Sequence, residues 1–104
     1  MSWEGYVIEE VLKAVAPDEA YFWATHGGAE LDLLLLKQGR KIGVECKRLD
    51  APRLTPSMQT ALNDLQLDQL VVVYPGDRPY PLADHITVVS LEVLVVQGER
   101  ALFP

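Results

Sequence analysis

An α/β domain, a mixed sheet flanked by helices, is what this sequence predicts, and three observations carry it. Residues 29–48, AELDLLLLKQGRKIGVECKR, set two apolar runs on either side of Gln38-Gly39, a polar pair whose glycine can take positive φ and close a β-hairpin. Residues 70–74, LVVVY, are an unbroken apolar run, as expected of a strand covered on both faces and reached by a crossover. Residues 5–16, GYVIEEVLKAVA, place Ile8, Val11, Leu12 and Val15 at the spacing of an amphipathic helix.

Taken in order, the first helix ends at Pro17-Asp18, because the residue before a proline avoids the helical region. At about 100° per residue Glu10 lies nearly opposite the apolar stripe, and Glu9 sits on its flank, able to look along the sheet. Residues 20–25, AYFWAT, read as the first strand. His26-Gly27-Gly28 turns the chain into a second strand over 29–37, and the third covers 40–48. Thr55 caps a second helix with Pro56 at its first position, and Met58, Ala61, Leu62 and Leu65 form its apolar face. Pro75-Gly76-Asp77 is a turn, and Pro79 and Pro81 make 75–85 irregular or edge-like. Residues 86–90 form a further strand, while 91–96 suit either a helix capped by Ser90 or a continuation of that strand. The expected order is α-β-β-β-α-β-β within a single domain, residues 1–104.

Composition narrows the classes. The chain has 104 residues, is 49% hydrophobic and 23% charged, and carries one cysteine, which describes a globular domain without an internal disulfide or multi-cysteine zinc site. No apolar run reaches membrane-spanning length and no secretory signal opens the sequence, so a cytoplasmic protein is expected. The net charge is −6, unsuited to coating nucleic acid by bulk electrostatics. Yet residues 37–53 hold six of the nine basic residues, Lys37, Arg40, Lys41, Lys47, Arg48 and Arg53, against only Glu45 and Asp50.

That basic stretch adjoins a pair of acids. A two-residue Gln38-Gly39 loop pairs Lys37 with Arg40 and carries Asp32 opposite Glu45. Side chains alternate along a strand, so Glu45 and Lys47 share a face and Cys46 points to the other. Facing carboxylates destabilise a sheet unless compensated, and a divalent cation would compensate them. Mg²⁺ takes oxygen ligands and keeps several waters, so Asp32, Glu45 and the backbone carbonyl near Cys46 make a sufficient set. Lys47 would orient water or steady developing charge, and Glu9 would reach in from the helix. The competing interpretation is a solvent-facing, salt-bridged surface in which Glu30 stands opposite Lys47. His26 and His85 read as loop residues, Cys46 as a small buried group, and Trp3, Phe22 and Trp23 as core.

The pattern D-x12-E-x-K, here Asp32…Glu45-Cys46-Lys47, resembles the PD-(D/E)xK nuclease superfamily, and the predicted element order resembles its restriction-endonuclease-like core. More narrowly, GYVIEEVL, FWATHGGAELDLLL, KIGVECKR and VVVYPGDRPYPL, from about Gly5 to Leu82, resemble the domain found C-terminal to AAA-type ATPase modules in prokaryotes. The resemblance implies a nuclease-like domain hydrolysing phosphodiesters of nucleic acid, a Mg²⁺-dependent endonuclease. Glu9, Asp32, Glu45 and Lys47 would be its catalytic positions, and Asp32, Glu45 and Cys46 would hold Mg²⁺ or Mn²⁺. Arg40, Lys41, Arg48, Ser57 and Gln59 are the expected contacts to nucleic acid, foremost DNA. No Walker-type GxxxxGK[ST] occurs in the sequence. The alternatives are a non-catalytic interaction module that keeps the nuclease fold, and a remnant or partner of an AAA-type ATPase that mediates oligomerisation, for instance as a homodimer.

Overall fold

The computed structural model describes residues 2–102. A six-stranded mixed sheet in the order β1-β2-β3-β4-β6-β5 carries helices on both faces. The elements are α1 (Trp3–Val15), β1 (Glu19–Ala24), β2 (Glu30–Lys37), β3 (Arg40–Cys46), α2 (Pro56–Leu65), β4 (Gln69–Tyr74), β5 (Tyr80–Ala83), β6 (Ile86–Ser90), α3 (Leu91–Gln97) and a closing 3₁₀ turn, Gly98–Leu102. This is the expected mixed α/β architecture with an added edge strand and a resolved C-terminal helix.

The hairpin forms as its residues require. Gln38 and Gly39 take φ of 52° and 78°, the pair of positive values that matches strand twist in a two-residue turn. The carboxylate of Asp18 accepts the Gln38 amide at 2.9 Å, which supports a non-glycine residue in the left-handed region. Lys37 then pairs with Arg40, and the ladder runs to Leu33 opposite Val44. Lys37 also donates to the Val15 carbonyl and pairs with Glu99 at 3.1 Å, tying the hairpin tip to the end of α1 and to the C-terminal turn. β3 is the pivot, antiparallel to β2 and parallel to β4 across the α2 crossover.

Two cores result. One lies beneath α1 and α3 and includes Val7, Val11, Leu35, Val44, Cys46 and Leu94; the other lies beneath α2 and includes Leu31, Met58, Leu70, Val72 and Ile86. In α1 the buried line is Val7, Val11 and Val15, with Ile8 and Leu12 half-buried beside it. The helix begins at Trp3, where Ser2 caps it by accepting from the Gly5 amide at 3.0 Å, two residues earlier than the stretch 5–16 read from the apolar spacing.

Three expectations change here. The segment 75–85 contains a strand, β5, short and at an edge as its prolines demand. Ser90 accepts from the Val93 amide and starts α3, settling the ambiguous tail as a helix. Phe22 is not core. It is 69% exposed, because β1 is an edge strand and Phe22 points away from the face on which Trp23 packs.

The turn after β4 is built around Tyr74, whose buried hydroxyl donates to the Arg78 carbonyl at 2.6 Å and accepts from the Arg78 amide at 3.1 Å. Its ring lies against Gly76, where an added Cβ would come within 2.4 Å of it. Gly76→Ala is therefore expected to destabilise the domain by about 1–3 kcal/mol, read as a lower urea midpoint with an unchanged slope.

Candidate functional site

β2 changes register against β1 at one place. Tyr21 pairs with Leu34 and Trp23 with Leu31, so Asp32 and Leu33 together face the single residue Phe22. This is a β-bulge, a device that bends a strand and re-aims a side chain. Its effect shows in the cores: Leu33 and Leu35 pack beneath α1, whereas Leu31 and Leu34 pack on the α2 side. Asp32 stands where the parity switches.

The β2–β3 ladder stops at Leu33 and Val44, one step short of Asp32 and Glu45. Beyond it the two acids take over the hydrogen bonding. Glu45 Oε1 accepts from the Asp32 amide at 3.2 Å, and Asp32 Oδ2 accepts from the Cys46 amide at 2.7 Å. The Lys47 amide donates to Val73 of β4. Because successive amides of a strand point to opposite edges, that of Cys46 points toward β2, where Asp32 receives it. Each acid caps a backbone group that a continued ladder would have paired.

Glu45 is only 6% exposed. Burial, and then the charge of Asp32, push its pKa up to about 7, against the opposing pull of Lys47 and of the Asp32 amide. Lys47 Nζ lies 3.5 Å from Glu45 Oε2 and stays accessible. The salt-bridged interpretation holds in part, since Lys47 pairs with Glu45, but Glu45 is buried rather than solvent-facing. The Cys46 thiol lies in the core beneath α1, and burial together with the nearby acids Asp32, Glu45 and Glu4 drives its pKa far up. It is no nucleophile at neutral pH.

Glu4 is the acid that sequence reasoning missed. It lies three residues before Val7 and seven before Val11 in the first turn of α1, is itself exposed, and makes a minor contribution to raising the Cys46 pKa. Glu9 is exposed, two residues from both Val7 and Val11 and so about 200° round from each. The signal was present in Ser2, a helix cap that extends the helix to include position 4.

The basic residues divide between the two ends of β3. Lys47, Arg48 and Arg53 lie at the acid end. Arg40 and Lys41 lie by the hairpin turn, roughly 13–17 Å along the strand from Glu45 at 3.3 Å per residue. The Lys41 amide bonds Asp68 at 2.8 Å and its ammonium reaches the Leu65 carbonyl, so it closes the end of α2. Ser57 fastens the start of α2 to Glu30, and Gln59 is half-buried two residues further along the helix. Next to the acids, a cavity of about 430 Å³ is lined by Lys47 and the 49–55 loop.

As a metal site the donors fit a hard cation. Two carboxylates converge, and the Cys46 carbonyl points to the same edge as its amide. Among the described residues no third His, Cys, Asp or Glu joins them to form a metal-holding group, so water or a substrate phosphate would complete the shell.

Residues 1–94 match the family model described as a domain of unknown function, DUF4143. The chain belongs to this family. It is 42% identical over 97 residues to two members of the curated set, Uncharacterized protein Mb2031c of Mycobacterium bovis and Uncharacterized protein Rv2008c of Mycobacterium tuberculosis. The alignment covers 93% of this chain and 22% of each relative, so the chain spans about a fifth of their length. No solved structure matches it. No helix among the described residues is long and apolar enough to cross a membrane.

Two outcomes test the geometry. Glu45 holds its proton more tightly in the fold than at its ordinary value of 4.5. The unfolded chain therefore ionises first, and stability falls as pH rises from about 4.5 to about 7 and then levels. Without metal, Glu45→Gln is expected to be more stable than the parent at pH 8, by on the order of 1–3 kcal/mol, the gap narrowing toward pH 4.5. Urea titrations across this range would show it, and a gap independent of pH would refute the buried-acid assignment. Asp32→Ala strands the Cys46 amide and should cost about 1–3 kcal/mol, whereas Asp32→Asn keeps an acceptor and should cost far less.

Proposed function

We propose that this chain is a nuclease-like domain of the PD-(D/E)xK type, a Mg²⁺- or Mn²⁺-dependent phosphodiesterase acting on nucleic acid, foremost DNA. The observation that carries the reading is the mutual capping of Asp32 and Glu45 at the splayed end of β2 and β3, with Lys47 3.5 Å from Glu45. Two acids from adjacent strands and a lysine two residues beyond the second meet in space as the D…ExK resemblance implies.

Asp32, Glu45 and the Cys46 carbonyl would hold the cation, which when bound supplies charge neutralisation at a phosphate and a lowered pKa for water. The residues themselves do the positioning. Asp32 is held by the Cys46 amide and Glu45 by the Asp32 amide, so neither carboxylate has to be ordered when substrate arrives. Lys47 shares a face with Glu45, and its accessible ammonium orients the attacking water or stabilises negative charge at the scissile phosphate. Glu4 and Glu9 are both exposed on α1, and either would act on the site only at a distance or through water. Arg48 lies beside the acids, whereas Arg40 and Lys41 are contacts only for a substrate that runs the length of β3.

A second reading draws on the family's common occurrence with AAA ATPases and on the greater length of the mycobacterial relatives. In it the domain is an interaction module, serving an ATPase or a second copy of itself, and makes no use of the acid pair.

Cleavage of single-stranded, duplex and branched DNA by the purified chain, with and without Mg²⁺ or Mn²⁺, separates the two. The nuclease reading expects metal-dependent cleavage that Asp32→Asn and Glu45→Gln abolish. Lys47→Ala should reduce cleavage about a hundredfold, or roughly 2.7 kcal/mol of transition-state stabilisation, while keeping the rise in Tm that metal confers. Cleavage that survives Lys47→Ala and Glu45→Gln alike, or absence of both cleavage and metal stabilisation, would overturn it.

A further inference from the structure

Between β3 and α2 the chain makes a loop that the metal site does not use. Its residues Leu49, Asp50, Ala51, Pro52, Arg53 and Thr55 enclose, with Lys47, the cavity of about 430 Å³, a size within the range of small-ligand sites. The wall is mainly aliphatic and the cations stand among it. Leu49 is 56% exposed there, apolar surface left in water although it directly follows Lys47 and Arg48.

The loop is held in shape from outside. Pro52 is buried, and its carbonyl accepts the Tyr80 hydroxyl at 2.7 Å. The Tyr80 ring stands edge-on to Tyr74 with centroids 5.9 Å apart. Tyr74 is in turn fixed by both its bonds to the Arg78 backbone. A loop anchored through two packed tyrosines presents a cavity before any ligand arrives, which lowers the ordering cost of binding.

Charge decides the occupant. Duplex binding rests on neutralising many phosphates along a surface. Outside residues 37–53 this chain has three basic residues against thirteen acidic ones, and Lys41 is engaged at the end of α2. Two cations, Lys47 and Arg53, line the cavity with the single anion Asp50, Lys47 also pairs with Glu45, and Arg48 follows Lys47 in the chain. Few phosphate contacts beside one apolar recess describe an unpaired nucleotide: a base against Leu49, Pro52 and the Arg53 plane, and its phosphates on Lys47 and Arg48.

Resting on the nuclease reading, we infer that the loop 49–55 is a base-binding pocket and that the substrate presents unpaired nucleotides next to the scissile phosphate, as a single strand, flap or frayed end does. Base-paired nucleotides keep their faces stacked within the helix and cannot enter.

The test is fluorescence anisotropy with the Asp32→Asn chain in Mg²⁺, which leaves the strand intact. The probes are a DNA strand of about twelve nucleotides, within the site sizes of single-strand binders, the blunt duplex of the same sequence, and the strand with its bases removed. The single strand should bind at least tenfold more tightly than either of the others. Adding Leu49→Asn should remove most of that advantage and leave duplex binding and Tm unchanged, since Leu49 is exposed. Tyr80→Phe, which releases only the Pro52 anchor, should weaken the single strand in the same direction by a smaller factor. Equal binding of strand and duplex, equal binding of the abasic strand, or a Leu49→Asn effect common to all probes would overturn the pocket and leave the nuclease reading to its cleavage assay. Binding of no probe, together with no cleavage, would overturn both.

Discussion

Two carboxylates bonded to each other's backbone surroundings are the constraint from which the rest of this molecule takes its sense. Asp32 receives the Cys46 amide and Glu45 receives the Asp32 amide, so the sheet is held together where its main-chain ladder has ended. Acids in this position are costly, since like charges on neighbouring strands repel and burial penalises the charge of Glu45. The fold responds locally in three ways: a bulge re-aims Asp32, Lys47 leans over Glu45, and Glu45 is poised to keep a proton near neutrality. Removing the acids would relieve that repulsion but strand the Asp32 and Cys46 amides that they cap, so the pair is held by the backbone groups that it serves.

The opposite end of the hairpin keeps this arrangement in register. A slip of one residue would move every side chain of a strand to the other face and separate the acids. The turn at Gln38-Gly39 resists that slip through its paired positive φ values, the Asp18 bond to Gln38, and the Lys37 links to α1 and Glu99. Lys41 and Asp68 do the same for the start of β3 against the α2–β4 connection. Basic residues that the sequence groups with a binding surface thus serve in part as fasteners.

Local chemistry was legible in the residues. The Gln38-Gly39 turn, the Thr55-Pro56 helix start and the parallel strand at LVVVY each follow from a short-range rule, and each stands as expected. The turn set the β2–β3 register as far as Leu33 and Val44, and with it the shared face of Glu45 and Lys47, while Asp32 and Glu45 meet one step beyond the paired ladder. What escaped was set by partners distant in sequence. The bulge at Asp32-Leu33 exists only relative to β1. The exposure of Phe22 depends on β1 having no further neighbour, while β5 was obscured by its prolines although it pairs with β6 across the short Asp84-His85 turn. Glu4 was lost for a simpler reason: the apolar stripe sets in at Val7, after the cap has already begun the helix.

The place of β3 in the sheet also orders the events of folding. Its pairing with β2 closes a loop of two residues, whereas its pairing with β4, Ile42 beside Gln69, must wait for α2 to be laid across. Short loops close at little entropic cost and form early; distant ones come later. Asp32 and Glu45 therefore meet while both are still solvated, where water screens their charges. Only when β4 and α2 dock does Glu45 lose its solvent. Between about pH 4.5 and about pH 7 the closing of the sheet is thus coupled to the uptake of a proton by Glu45.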